Sequence, residues 1–166
     1  LLYGANAIPA LTFANVPIQA LAPYQSWSVS KNLSGPAADG DADPDFDGVK
    51  NALEFVLGGE PNPSSPGSNS TALLPASTRN SNGDLVFTFQ RKIASVGGVS
   101  LNFQWSANLT FPVLNSVPIG ATGSSADGII IAVSNLDPTT ETIIVTVPAA
   151  KAAGGKLFGR LEAAAP

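Results

Sequence analysis

Residues 84–106 read DLVFTFQRKIASVGGVSLNFQWS, and their periodicity decides the fold class. Leu85, Phe87 and Phe89 alternate with Val86, Thr88 and Gln90; Val99, Leu101, Phe103 and Trp105 alternate with Ser100, Asn102 and Gln104. Successive side chains of a strand point to opposite faces, so a period of two predicts two strands, each with one face in a core. The second run is the clearest half-buried strand in the chain. Ser95-Val96-Gly97-Gly98 is expected to supply a hairpin turn between them. Further strands are predicted at 128–133, 141–147 and 156–162, with SNLDPTT (134–140) separating the first two. Strands at this spacing, joined by clusters of Gly, Pro, Asn and Asp, predict a mainly β protein: an antiparallel β-sandwich, immunoglobulin- or fibronectin-like, over residues 84–166. The strand–helix alternation that would feed a parallel sheet is missing.

Composition narrows the function. Hydrophobic residues make up 44% of the 166-residue chain, enough for a sizeable core, whereas charged residues make up 12%, about half the usual share. A surface this poor in charge is a liability for a free monomer and predicts that part of it is covered by copies of the same chain. The chain has no Cys and no His, which removes disulfides, thiol chemistry, the usual general base and the usual transition-metal ligand. Without a basic patch, nucleic-acid binding has no electrostatic basis, and no apolar run reaches the ~18 residues that span a bilayer. The acids are concentrated: Asp39, Asp41, Asp43, Asp45 and Asp47 supply five of the twelve.

Outward from the sandwich the chain divides into three further stretches. Residues 1–22, LLYGANAIPALTFANVPIQALA, are apolar and uncharged, and Pro9 and Pro17 argue against one continuous helix. The strip reads as extended, either an edge strand of its own sheet or a strand donated to a neighbouring copy. Residues 23–60 read as a helical unit. A short helix is predicted over 23–33 around Tyr24, Trp27 and Leu33. A second is predicted over 49–57, with Val49, Leu53 and Val56 on one stripe and Phe55 beside it, ended by Gly58-Gly59. Residues 61–83, dominated by Pro, Ser, Asn and Gly, read as a connector in which 72–74 are placed to dock as a short strand.

Between the two helices lies DPDFDGVKNALE, residues 43–54. Calcium takes six to eight oxygens, and a twelve-residue loop of EF-hand type delivers them from positions 1, 3, 5, 7, 9 and 12, with Gly at 6. Gly48 fixes the register, so the predicted ligands are Asp43, Asp45, Asp47, the Val49 carbonyl, Asn51 (directly or through water) and Glu54, which can clamp with both oxygens. Alternate Asp side chains converge when the chain curls, and Gly48 permits the sharp turn. Starting two residues earlier would put Phe46 where the glycine belongs. Four carboxylates this close repel one another unless a cation neutralises them. Magnesium suits the loop less well than Ca²⁺, since it prefers octahedral geometry and keeps its waters. Asp39 and Asp41 stand outside the loop and read as solvated, with a second, weaker site as the alternative.

The loop resembles those of dockerins and thrombospondin type 3 repeats. The wider stretch 24–61, YQSWSVSKNLSGPAADGDADPDFDGVKNALEFVLGGEP, resembles the segment near the C-terminus of many secreted verrucomicrobial and planctomycete-type surface proteins: a Trp, then DxDxDG-x-x-N-x-x-E-aromatic, then LGG-x-P. In that family it precedes a β-sandwich, whose strands LVFTFQRK, LNFQWSANLT and KLFGRLEAAAP resemble. The resemblance implies calcium ligation by Asp43, Asp45, Asp47, Asn51 and Glu54, an extracellular or cell-surface location and no known catalysis. Such modules usually end much larger proteins, whereas this chain is short.

The readings of function follow. Catalysis is disfavoured, because no nucleophile–base pair can be built without His or Cys and the main carboxylate cluster is committed to the ion. A glycan-binding module would need exposed aromatics; Tyr24 and Phe111 are the candidates, since Trp105 and Trp27 are predicted to pack inward. The favoured reading is a self-assembling, calcium-stabilised subunit of a filament or surface layer, with residues 1–22 completing a neighbour's sheet. Asn32, Asn69 and Asn108 each begin an N-glycosylation acceptor pattern.

Overall fold

In the computed structural model the described residues are 20–62, 64–65, 69–110 and 115–166. The predicted donated strand (all but its last three residues) and Phe111 lie outside them. Helix α1 spans Pro23–Ser30 and α2 spans Asn51–Leu57. The strands are β1 Ala76–Arg79, β2 Leu85–Lys92, β3 Ser100–Ser106, β4 Ser116–Pro118, β5 Gly123–Ser124, β6 Ile130–Asp137, β7 Thr140–Val147 and β8 Phe158–Ala164. They form two antiparallel sheets, ordered β1-β2-β7-β6-β5 and β4-β3-β8. The protein is therefore mainly β and a sandwich, as its periodicity predicts. Among the described residues no helix is long and apolar enough to cross a membrane.

The core forms where the inward faces meet. Phe87 and Phe89 on β2 lie opposite Val145 and Ile143 on β7, and these pack with Ile131, Leu101, Phe103, Trp105 and Val117. The rings of Phe87 and Phe103 meet across the two sheets edge to face, 5.1 Å between centroids, the arrangement their quadrupoles favour. Gly159 makes room for that contact: a Cβ there would lie 2.7 Å from the Phe103 ring. Alternation fails at the end of β3, where Gln104 and Ser106 are buried as well as Phe103 and Trp105. Gln104 is accommodated by donating to Glu162 and accepting from Arg160 Nε at 2.7 Å. Arg91 is buried too. It donates to Glu141 Oε2 from Nε (2.9 Å) and Nη2 (2.6 Å), and to the Ile119 carbonyl at 3.1 Å.

The expected β2–β3 hairpin does not form. The two strands lie in different sheets, and β2 pairs with β1 and β7. After Lys92 a 3₁₀ turn, Ile93–Ser95, leads the chain over the end of the sandwich. Gly98 then serves as a seat for α1, because a Cβ there would meet Pro23 at 2.9 Å and Phe55 at 3.0 Å. The expected connector is also more structured than its composition implies. Residues 71–73 make a 3₁₀ turn in place of a strand, and β1 follows as an edge of the five-stranded sheet.

The two helices form one small unit. Tyr24, Trp27 and Phe55 stack mutually, with centroids 5.3–5.7 Å apart. Helix α2 packs on both β2 and β8 and sends Val56 and Leu57 into the sandwich core. It stops at Gly58, whose φ of +83° is the left-handed cap that glycine accepts without a Cβ penalty. Phe103 joins the two sheets and is fully buried. Phe103→Ala should therefore cost about 3–5 kcal/mol, read as a lower urea midpoint at an unchanged slope.

Candidate metal centre

The loop at 43–54 is shaped by its own carboxylates. Gly48 N–H donates to Asp43 Oδ2 at 3.0 Å, Asp47 N–H to Asp45 Oδ1 at 3.4 Å, and Val49 N–H to Asp47 Oδ1 at 2.7 Å. Each bond curls the chain one step further inward. Gly48, with φ +89°, supplies the turn, and Phe46 takes φ +60° with its ring turned out to solvent, 89% exposed. Oxygen atoms of Asp43, Asp45 and Asp47 consequently gather within 4.8 Å of one another.

Helix α2 brings the fourth carboxylate. Glu54 is fully buried, one turn into the helix. Its Oε1 accepts the Ser70 hydroxyl at 2.6 Å, and the Ser70 N–H donates to Asp47 Oδ2. Among the described residues four side-chain oxygens are then left buried without any hydrogen-bond partner: Asp43 Oδ1, Asp45 Oδ2, Asn51 Oδ1 and Glu54 Oε2. A buried polar atom left unpaired costs about 1–3 kcal/mol, more when charged. Such a cluster of acceptors has no donor among its own side chains and suits a cation. With oxygen the donor throughout, the fitting ions are hard ones such as Ca²⁺, Mg²⁺ or Mn²⁺.

The chain matches no known protein family, no curated protein and no solved structure. The centre must be read from its own geometry.

That geometry gives two of the expected ligands partners outside the loop. Asn51 is fully buried, but its Nδ2 donates to the Ala37 carbonyl (2.9 Å) and the Asp39 carbonyl (2.7 Å). Together with Asn51 N–H to Ala42 O and Ala52 N–H to Gly40 O, both 2.9 Å, these bonds tie the approach turn to the helix. The amide nitrogen thus braces the loop's entrance, while Asn51 Oδ1, the atom expected to ligate directly or through water, is left buried and unpaired. Of the two Glu54 oxygens expected to clamp the ion, Oε1 accepts the Ser70 hydroxyl and Oε2 has no partner. Val49, whose carbonyl is the predicted ligand at position 7, is buried with its N–H on Asp47. Asp39 and Asp41 stay outside the cluster. Asp39 accepts the Asp41 N–H at 2.9 Å, and Asp41 pairs with Lys50 at 2.8 Å in an exposed ion pair.

Ser70 escaped the sequence because no spacing rule points from residue 70 to a loop at 43–54. Asn32, Asn69 and Asn108 are all exposed, and the Asn69 and Asn108 side chains accept the N–H groups of Thr71 (3.1 Å) and Thr110 (3.2 Å). Of the aromatics proposed for sugar contact, Tyr24 is buried, with its hydroxyl donating to the Ala38 carbonyl at 3.1 Å. Trp105 is buried as expected, and Trp27 is half-buried against Phe55.

Without an ion, burial pushes the Glu54 carboxyl up to about 7; the Ser70 hydroxyl opposes that rise, and the charges of Asp45, Asp47 and Asp43 add to it. Asp45 is raised for the same reasons, burial first. The folded chain therefore holds a proton on Glu54 that the unfolded chain releases near 4.5. Where the folded state binds more protons, stability falls as pH rises. In EGTA, the melting temperature should fall as pH goes from 4.5 to about 7. Glu54→Gln should flatten most of that slope in thermal unfolding followed by circular dichroism.

Proposed function

We propose that this chain is a calcium-stabilised, non-catalytic building block that works outside the cell. The observation that carries the reading is the convergence of Asp43, Asp45 and Asp47 with the fully buried Glu54, three of whose combined oxygens lack any partner. Ca²⁺ suits this set better than Mg²⁺, because a flexible ring of carboxylate and carbonyl oxygens need not meet octahedral angles. The ion holds the loop and α2 against β2 and β8, so its role is mechanical. A single loop of this kind falls with extracellular modules that bind at roughly 10⁻⁴–10⁻³ M, filled outside cells and empty in cytosol. The resemblance to secreted verrucomicrobial and planctomycete-type proteins points the same way.

The assembly part of the proposal rests on charge and edges. The chain has few charges for its size. Among the described residues the strand β1 has one hydrogen-bonded neighbour, β2, and all four of its residues are exposed. An open edge accepts an added strand through main-chain hydrogen bonds, and the apolar, uncharged 1–22 supplies one from a second copy. A glycan-binding module is the second reading. It is favoured by a shallow apolar groove lined by the half-buried Trp27 with Phe55, Lys92, Pro138 and Thr139.

Calcium at a hundred times its dissociation constant should stabilise the fold by about 2.7 kcal/mol, seen as a melting temperature that rises with CaCl₂ and returns in EGTA. Asp45→Asn, which removes one ligand charge, should weaken binding by on the order of tenfold in calorimetry. An unchanged melting temperature across a calcium titration would count against the metal reading. Deleting residues 1–22 should leave a folded chain that no longer assembles, judged by negative-stain imaging. If the truncated chain still polymerises, strand donation is wrong. Monodisperse full-length particles that bind a glycan array would favour the module.

A further inference from the structure

We infer that Ser70 is a positioning residue for the ion and the latch that transmits ion occupancy to residues 69–79; this rests on the calcium reading above. Ser70 is 1% exposed and touches the centre twice. Its hydroxyl donates to Glu54 Oε1 at 2.6 Å, and its N–H donates to Asp47 Oδ2. The direction of the hydroxyl proton is settled by a third contact. Glu60 N–H donates to Ser70 Oγ at 3.2 Å, so the single hydroxyl proton is left for the carboxylate.

The consequence for the ion is specific. With Oε1 taken, Glu54 presents Oε2 alone, buried and unpaired beside the three aspartates. Ser70 thus fixes the Glu54 rotamer and aims the unpaired Oε2 at the aspartates. Groups that orient a ligand in this way typically change metal affinity by 10–100-fold. The backbone is shaped for the contact. A Cβ on Gly59 would lie 2.4 Å from Ser70 Oγ and 2.9 Å from Glu54 Oε1, so a side chain at 59 would wedge between them.

The consequence for the chain is just as direct. Both partners of Ser70, Glu54 and Asp47, are carboxylates that face the ion. Residues 71–73 follow as a 3₁₀ turn whose Leu73 N–H returns to the Ser70 carbonyl at 2.9 Å, and β1 begins at Ala76. Drawing Glu54 and Asp47 onto a cation tightens the two bonds that hold the start of this run. The exposed edge strand is therefore coupled to the loop through one serine.

The test measures Ca²⁺ affinity by calorimetry, and hydrogen exchange of peptides covering 69–79 with CaCl₂ or EGTA, in the full chain and in Ser70→Ala and Gly59→Ala. The first variant removes the hydroxyl and the second displaces it, so the result does not hang on one substitution folding. Both variants should bind Ca²⁺ at least about tenfold more weakly and lose most of the calcium-dependent protection at 69–79. A serine with a purely structural role would lower stability equally with and without the ion and leave both readouts unchanged; that result overturns the latch alone. No calcium binding by the full chain overturns the metal reading and the latch together.

Discussion

Everything in the helical unit answers to one electrostatic demand: carboxylates drawn together out of water need a positive charge among them. The loop's own N–H groups satisfy half of the aspartate oxygens and in doing so aim the others inward. Burying Glu54 beside them removes the option of hydration. The ordinary alternatives for a buried acid are to neutralise by keeping its proton or to pair with a cation. Among the described residues no lysine or arginine partners these oxygens, so a proton or a metal ion could supply the charge.

The sandwich gives that centre something to act on. Helix α2 starts at the loop and ends in the core, so its seven residues link the carboxylates to Val56, Leu57 and the strands beneath. The stacked Tyr24, Trp27 and Phe55 fasten α1 to the same helix, and Gly98 lets α1 sit on the sandwich end. A helix this short is marginal by itself, and most helical stability in proteins comes from packing. Its order is supplied from both ends, by aromatic and core contacts on one side and by the loop on the other.

Much of this was legible in the sequence, and the gaps have physical causes. The period of two at 85–89 and 99–105 marks inward faces correctly, since it reports a local property of a strand. It is silent on which strand pairs with which, because pairing is decided far along the chain, and so the β2–β3 hairpin was wrong. Gly97-Gly98 is a turn, as its composition suggests, and Gly98 is also small because a helix rests on it. The aspartates were readable from their spacing around Gly48. At Asn51 the loop pattern does not reveal that two carbonyls claim the amide nitrogen and leave Oδ1 unpaired. Ser70, Gln104 and Arg91 were invisible for a shared reason: their partners are distant in sequence and polar, and no periodicity records them.

The contact between Gly40 and Ala165 has a consequence for how the molecule is made. A Cβ on Gly40 would lie 2.7 Å from the Ala165 side chain, so the approach to the loop is packed against residues that follow the last strand. These two parts lie far apart along the chain, and a ribosome adds only ~5–20 residues per second. The nascent loop can collect its carboxylates early, but its floor is laid only when β8 arrives. Maturation of the centre thus waits on β8, and a chain cut short before that strand would emerge with that floor missing.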